Sequence, residues 1–449
     1  MKKIAYVFLF SMLAFTADGM MNLPTQNNNA NENNPAMTPV NEPQQTQEST
    51  TINKSTYSND ITKVTIPINV TMIAEGAFLL RWDLKTVEFE ENSELTEIGE
   101  KAFSLTSLES ITIPSSVTVI GAAAFESCDQ LKIVKFKENS ELKEIEKEAF
   151  SQTSLKSITI PSKVYIIKSH AFSPCRDLKT VRFKENSELK EIGKEAFSQT
   201  SLKSITIPSK VYIIKDHAFL FCRNLKTVKF KENSELREIG EKAFSETSLK
   251  SITIPSKVCI IKSYAFSPCW NLKTVKFKEN SELKEIGNRA FSQTSLESIT
   301  IPSSVTVIGA AAFMDCGKLK IVKIVPDSQL TEIGSCAFSR TSLESITIPS
   351  NVTVIKKLAF EDCDKLKTVE FVPDSKLEKI GSQAFSRTSL ESITIPSSVT
   401  KIGIAAFMDC DKLKIVEIVS GSQLTEIGNW AFSRRTIVLS SIPLSNNLW

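Results

Sequence analysis

A period of 47 residues constrains this chain more than any other feature. The segment "AFSPCRDLKTVRFK" begins at Ala171, "AFLFCRNLKTVKFK" at Ala218 and "AFSPCWNLKTVKFK" at Ala265. An Ile-Pro dipeptide returns in the same rhythm at Pro67, Pro114, Pro161, Pro208, Pro255, Pro302, Pro349 and Pro396. Neighbouring units are near copies, since residues 154–200 and 201–247 agree at 38 positions. Self-similarity at a fixed period means a stacked array whose length follows the number of repeats. The 449 residues therefore fit one solenoid, although the length alone would suggest about three domains of ~150 residues.

Each unit divides into two coils. One has 23 residues and reads L-x-x-I-x-I-P-x-x-V-x-x-I-x-x-x-A-F-x-x-C-x-x, as from Leu155; the other has 24 and reads L-x-x-V-x-F with a later L-x-x-I-x-x-x-A-F, as from Leu178. Coil starts run from Ile61 to Leu413, giving sixteen complete coils and a seventeenth strand begun at Ile437. In "LKTVRF" the apolar Leu178, Val181 and Phe183 are expected to point inward and Thr180 and Arg182 outward, the period-two pattern of a half-buried strand. One coil cannot bury its apolar side alone, so each needs the next. Stacking would align the sixteen Ala-Phe phenylalanines, Phe78 to Phe432, into an internal ladder that is core rather than a cofactor site.

The coil motif resembles the BspA-like class of leucine-rich repeats, found in surface and secreted proteins of mucosal bacteria and protozoan parasites, over residues 59–449. The resemblance implies an α/β repeat solenoid, right-handed and curved, with a parallel β-sheet on its concave face. It also implies adhesion to host proteins or cells, or co-aggregation. The asparagine of commoner leucine-rich repeats is absent and Ile-Pro stands near its place, so the turn must be supported differently. No capping domain is visible, which leaves Ile61 and the "TIVLSSIPLSNNLW" tail to cover the two core ends.

The first 59 residues differ in kind. Lys2 and Lys3 precede an apolar run from Ile4 to Ala17, with Ala17 and Gly19 spaced for cleavage, so residues 1–19 read as an export signal. The run is short for a membrane span of ~20 residues, and no transmembrane span is expected. Residues 20–58, rich in Asn, Gln, Thr and Pro, would bury too little apolar surface to offset their ordering entropy and read as a disordered spacer.

Seven of the nine cysteines, Cys128, Cys175, Cys222, Cys269, Cys316, Cys363 and Cys410, occupy one position of the 23-residue coil. Equivalent residues two coils apart should lie about 10 Å apart at a strand spacing of ~4.8 Å. A disulfide needs Cα atoms within about 7 Å, so free buried thiols are expected. His170 and His217 are likewise two coils apart, too far to share a metal. No Cys-x-x-Cys, phosphate loop or nucleophile elbow occurs, and neither an enzyme nor a cofactor is expected.

Charge is distributed unevenly beneath a net +3. Counted by 47-residue unit from Asp60, the units carry −5, −3, +4, +3, +5, 0, 0 and 0, with +12 between Ser154 and Thr294. On outward strand positions, Lys135 with Lys137, Arg182 with Lys184, Lys229 with Lys231, and Lys276 with Lys278 would form two basic columns on the concave sheet. Glu88 and Glu90 replace them in the first unit, and Glu370 with Val372 and Glu417 with Val419 near the end. One reading is a solubilising face neutralised by Glu138, Glu185, Glu232 and Glu279; the other is a face recognising an acidic host protein or sulfated glycan. Between the columns, Ser157 and Thr159 and their equivalents form a hydroxyl lattice. Aromatic residues read as buried rather than interleaved with the basic ones, which disfavours nucleic acid. Macromolecular binding at a cell surface or after secretion is thus the expected function. The alternative is a structural or antigenically variable surface coat without one specific ligand; oligomeric state is not legible.

Overall fold

The computed structural model describes residues 50–325 and 327–440. The export signal expected at 1–19, most of the spacer expected at 20–58 and the tail residues 441–449 lie outside them. Every coil contributes a four-residue strand and a two-residue strand, and all pairings are parallel. The four-residue strands run from Lys63–Ile66 to Ile437–Ser440 and alternate exposed and buried side chains, as in Ser157–Ile160 and Thr180–Phe183. The two-residue strands, Thr51–Ile52 to Glu426–Ile427, stack into a single sheet on another side of the coil. Sixteen coils and a seventeenth strand at Ile437 are present as the repeat count requires. A further partial coil precedes them, because Thr51–Ile52 pairs with Met72–Ile73.

The α/β label needs correction: no α-helix occurs among the described residues, and the Ala-Phe segments are successions of turns. The residue before each Ala-Phe adopts a left-handed backbone, from φ 51° at Lys101 to 61° at Leu358, and only at Gly76 is it glycine. A second left-handed residue follows in most coils, such as Gln152 (56°) or Phe221 (59°). Two such residues within six positions interrupt any helical run. The amides bond to the next coil instead of to their own: Phe172 N–H donates to Ala196 O at 2.9 Å, and His170 N–H to Lys194 O at 2.9 Å. In the 24-residue coil the "KENSEL" turn is made by a left-handed Asn, such as Asn186 at 53°.

The expected ladder fills the core. From Phe78 to Phe432 successive rings lie 5.0–5.6 Å apart and within 16° of parallel, an offset stack that adds about 0.5–1.5 kcal/mol per pair to the burial itself. Beside it runs a column in which Thr of the long coil alternates with Cys of the short one. Cys175 donates its S–H to Phe150 O at 3.0 Å and lies 3.3 Å from Thr153 Oγ1; the other six repeat as the same pair. All nine cysteines are free. The threonine between successive thiols is the physical reason that the seven cannot bridge. Burial pushes six of them, from Cys128 to Cys363, up to about 11. A thiol reagent at pH 8 should therefore label Cys259 and Cys336 in the native chain and all nine after denaturation without reductant. Fewer than nine in the denatured chain would contradict the free-thiol column.

The sheet of four-residue strands is paired unevenly, and Ile-Pro explains it. From a short coil to the following long coil the ladder covers all four residues, as Ser157↔Thr180 to Ile160↔Phe183, and closes with Lys184 N–H on Ile160 O at 3.0 Å. From a long coil to the next short coil only one pair forms, such as Ile133↔Ser157 or Thr274↔Ser298, or none at all. The position equivalent to Lys184 is proline in each short coil, and proline has no N–H with which to close that edge. The last junction supports this cause: Ser441 stands where the proline would be, and Ile415–Ile418 pairs fully with Ile437–Ser440.

Candidate functional site

All eight predicted column residues are exposed on the sheet of four-residue strands, the face expected to be concave. Lys135, Arg182, Lys229 and Lys276 sit within strands, each paired in register with a threonine of the preceding short coil, as Thr159↔Arg182 and Thr206↔Lys229. Lys137, Lys184, Lys231 and Lys278 follow two residues later on the same side. Ser157 and Thr159 are exposed beside them, as the hydroxyl lattice requires.

Some lysines and arginines away from this sheet pair with carboxylates one or two coils away: Lys163 with Glu141 at 2.5 Å, Lys210 with Glu188 at 2.9 Å, Lys262 with Glu238 at 2.7 Å, Arg237 with Glu282 at 2.6 Å. Lys168 joins both Glu144 and Glu146, and those hydrogen bonds from Lys168 hold the Glu144 carboxyl below its ordinary range. Among the described residues none of the eight column cations forms an ion pair, nor do Glu138, Glu185, Glu232 and Glu279, the carboxylates expected to neutralise them. In the acidic first unit the equivalent Glu88 is paired, with Lys63 at 2.8 Å.

Shallow grooves open where the strands part, a feature the repeat pattern did not suggest. One, of about 550 Å³, lies between Thr274–Phe277 and Ser298–Ile301, rimmed by Lys276, Lys278 and Thr300. Another, of about 320 Å³, repeats it at Lys229, Phe230 and Thr253 with Lys278 reaching in, and a third, of about 300 Å³, at Lys135, Phe136 and Thr159 with Lys184. A fourth has the opposite rim, Glu370 and Asp374. Phe136, Phe230 and Phe277 line these openings and, like Phe183, which was expected to point inward, are only partly buried. The sequence signal was present in the prolines: Pro255, Pro302 and Pro396 each line one of these grooves.

The expectation that aromatic residues are buried needs a second correction. It fits the ladder, but Tyr165, Tyr212, Phe221 and Trp270 are exposed within the basic middle, with the Arg223 guanidinium 5.4 Å from the Phe221 ring. They lie beside the two-residue strands or in the turns after the ladder, away from the lysine columns. His170 and His217 stand at equivalent left-handed positions; His170 Nε2 lies 3.1 Å from Glu195, and both Nδ1 atoms are buried without a partner. No group of three metal-ligating side chains occurs among the described residues, and no described helix is long and apolar enough to cross a membrane.

Comparison with known proteins bears on the same residues. A family model described as a BspA type leucine-rich repeat region (6 copies) matches residues 50–179, 143–258, 190–320, 237–367 and 331–448. A leucine-rich repeat protein from Bacteroides ovatus is similar at TM-score 0.60 and 26% identity, covering 84% of this chain and 91% of its own. A leucine-rich cell surface protein from Faecalibacterium prausnitzii matches at TM-score 0.36 and 26% identity over 76% and 84%. The pneumococcal vaccine antigen PcpA matches at 0.44 and 22% over 75% and 89%. No curated protein matches the chain.

Proposed function

The chain belongs to the BspA-type leucine-rich repeat family, and from that premise we propose that it is a surface-displayed or secreted scaffold that captures anionic macromolecules of a host or of neighbouring cells. Binding by a repeat surface is the general role of such solenoids, whose stacked coils make an extended face. The observation that carries the finer reading is the set of eight exposed cations, in register on one sheet and without ion-pair partners among the described residues. Unpaired exposed charges contribute little to stability but set encounter rate and partner choice. Their repeat of ~10 Å is near the Debye length of ~8 Å in physiological salt, so mutual repulsion is modest while a polyanion can span several.

The test is binding of the chain to heparin and to acidic matrix proteins across a salt series, beside a variant with all eight column residues changed to Ser. Wild-type binding should weaken steeply with salt and fall by about tenfold or more in the variant. The variant should stay folded, its stability changed by no more than about 0.5 kcal/mol per substitution, because no ion pair of these side chains is lost. Equal binding by both proteins would move the function off this sheet and favour a surface coat.

A further inference from the structure

Within that reading, on which this inference rests, a second set of cations names the class of partner. The residue before each four-residue strand is lysine in seven successive coils: Lys132, Lys179, Lys226 and Lys273 in the long coils, and Lys156, Lys203 and Lys250 in the short ones. All seven are exposed. Their backbones stack directly: Lys179 N–H donates to Lys156 O at 2.9 Å, Lys226 N–H to Lys203 O at 3.0 Å and Lys273 N–H to Lys250 O at 2.9 Å, with longer bonds from Lys156 to Lys132 and from Lys203 to Lys179. Each coil thus adds one cation, whose backbone is about 4.8 Å from the next. We propose that this lysine run, along the edge of the sheet where the strands begin, seats a linear sulfated polysaccharide.

The flanks of the run supply the contrast that carries the proposal. At the same place the outer short coils hold Glu109, Glu297, Glu344 and Glu391, so beyond Lys273 the column alternates Glu with Lys and neutralises itself, beginning with Lys273 and Glu297 at 4.0 Å. Among the described residues the other six lysines of the run form no ion pair. Neighbouring charges stand inside the Debye length of ~8 Å in physiological salt, so salt screens them from one another only in part. A polyanion laid along them relieves that repulsion and releases condensed counterions. The surroundings then choose among polyanions. Exposed hydroxyls of Ser157, Ser204 and Ser251 follow the short-coil lysines and suit sulfate and sugar oxygens. No aromatic residue interrupts the run, so the bases of a nucleic acid meet no stacking platform in it. An acidic peptide matches the charge too, but a sugar chain holds its sulfates on rings and loses less freedom on binding. Sulfation of successive sugars gives the charge density that an unbroken run of cations complements.

The experiment measures binding of the full chain to heparin, desulfated heparin, polyglutamate and a single-stranded oligonucleotide of similar lengths. One variant changes Lys156, Lys203 and Lys250 to Glu, which gives the middle the alternation its flanks already use and so suits the fold. A control of equal net charge changes Lys163, Lys210 and Lys257 to Glu, past the prolines of the same coils. Wild type should bind heparin about tenfold or more tightly than any other probe, with log affinity falling linearly in log salt. The first variant should lose about tenfold or more of that affinity, and the control should stay within about threefold of wild type. Unchanged heparin binding in the first variant, or an equal loss in the control, overturns the lysine run as the seat; if changing the eight column residues to Ser still abolishes binding, the anionic reading stands without it. Any other probe bound as tightly as heparin overturns the sulfated class. Absence of wild-type binding to every probe overturns both readings.

Discussion

Raising the pH from 9 to 11 should unfold this solenoid, and replacing its seven column cysteines by Thr should abolish most of that effect. An unfolded thiol releases its proton near the ordinary value of 9, whereas the buried thiols from Cys128 to Cys363 hold theirs up to about 11. Between those values the unfolded chain has lost protons that the folded chain retains, so the folded state is penalised as pH rises. The stability is fully present below pH 9 and is lost through pH 11. Each such thiol contributes a slope of about 1.4 kcal/mol per pH unit, and six give on the order of 8 kcal/mol per unit, spread along the array. Thr is the apt replacement because the chain already places it at the same position in the long coils, as Thr153 and Thr200, where its hydroxyl bonds to a Phe carbonyl. Urea midpoints at pH 8, 9, 10 and 11 measure the effect. Parallel decline of both proteins would attribute alkaline loss to the lysines instead.

The fold was legible in the sequence because every level of it is periodic. Leu178, Val181 and the Ala-Phe pair return so often that a single wrong coil would be visible, and the sheet register follows from the repeat length itself. Two features were harder to see. The Ala-Phe segment suggested the helical side of an α/β repeat; its left-handed residues are mostly ordinary ones, such as Lys101, Glu148 and Arg289, so no glycine marks the break. The grooves depend on a missing donor, the N–H that Pro161 or Pro255 lacks, and an absent hydrogen bond leaves no hydrophobic pattern. As for the candidate site, the positions of the eight cations could be read, because alternation fixes which side of a strand a residue faces. Their lack of partners could not. Glu138 or Glu185 follows each pair in sequence, and only the turn geometry shows that these carboxylates do not reach back.

The N-terminal edge supplies the other large effect, because the sequence boundary at residue 59 cuts through a working cap. Arg81 occupies in the first coil the position that Cys holds in later short coils, and it is 2% exposed. Its guanidinium donates to Lys54 O at 2.6 Å and to Ser58 O, while the Tyr57 ring stacks 5.7 Å from Phe78 and covers the end of the ladder. A chain starting at residue 59 lacks both carbonyls and the ring. It loses the two charge-assisted hydrogen bonds of the Arg81 guanidinium, about 3–6 kcal/mol, and opens the end of the ladder to water. In a stacked array that loss falls on the terminal coils, not on the whole chain. Amides of Val64, Ile66 and Ile73 should exchange at least about a hundredfold faster in the shortened chain than in one starting at residue 50, while those of Ile205 and Ile207 stay unchanged. Arg81→Cys, which restores the residue used by the later coils and removes the stranded charge, should recover part of the protection in the shortened chain and reduce it in the longer one. Equal exchange from the two starting points would mean that residues 50–58 do not hold the first coil.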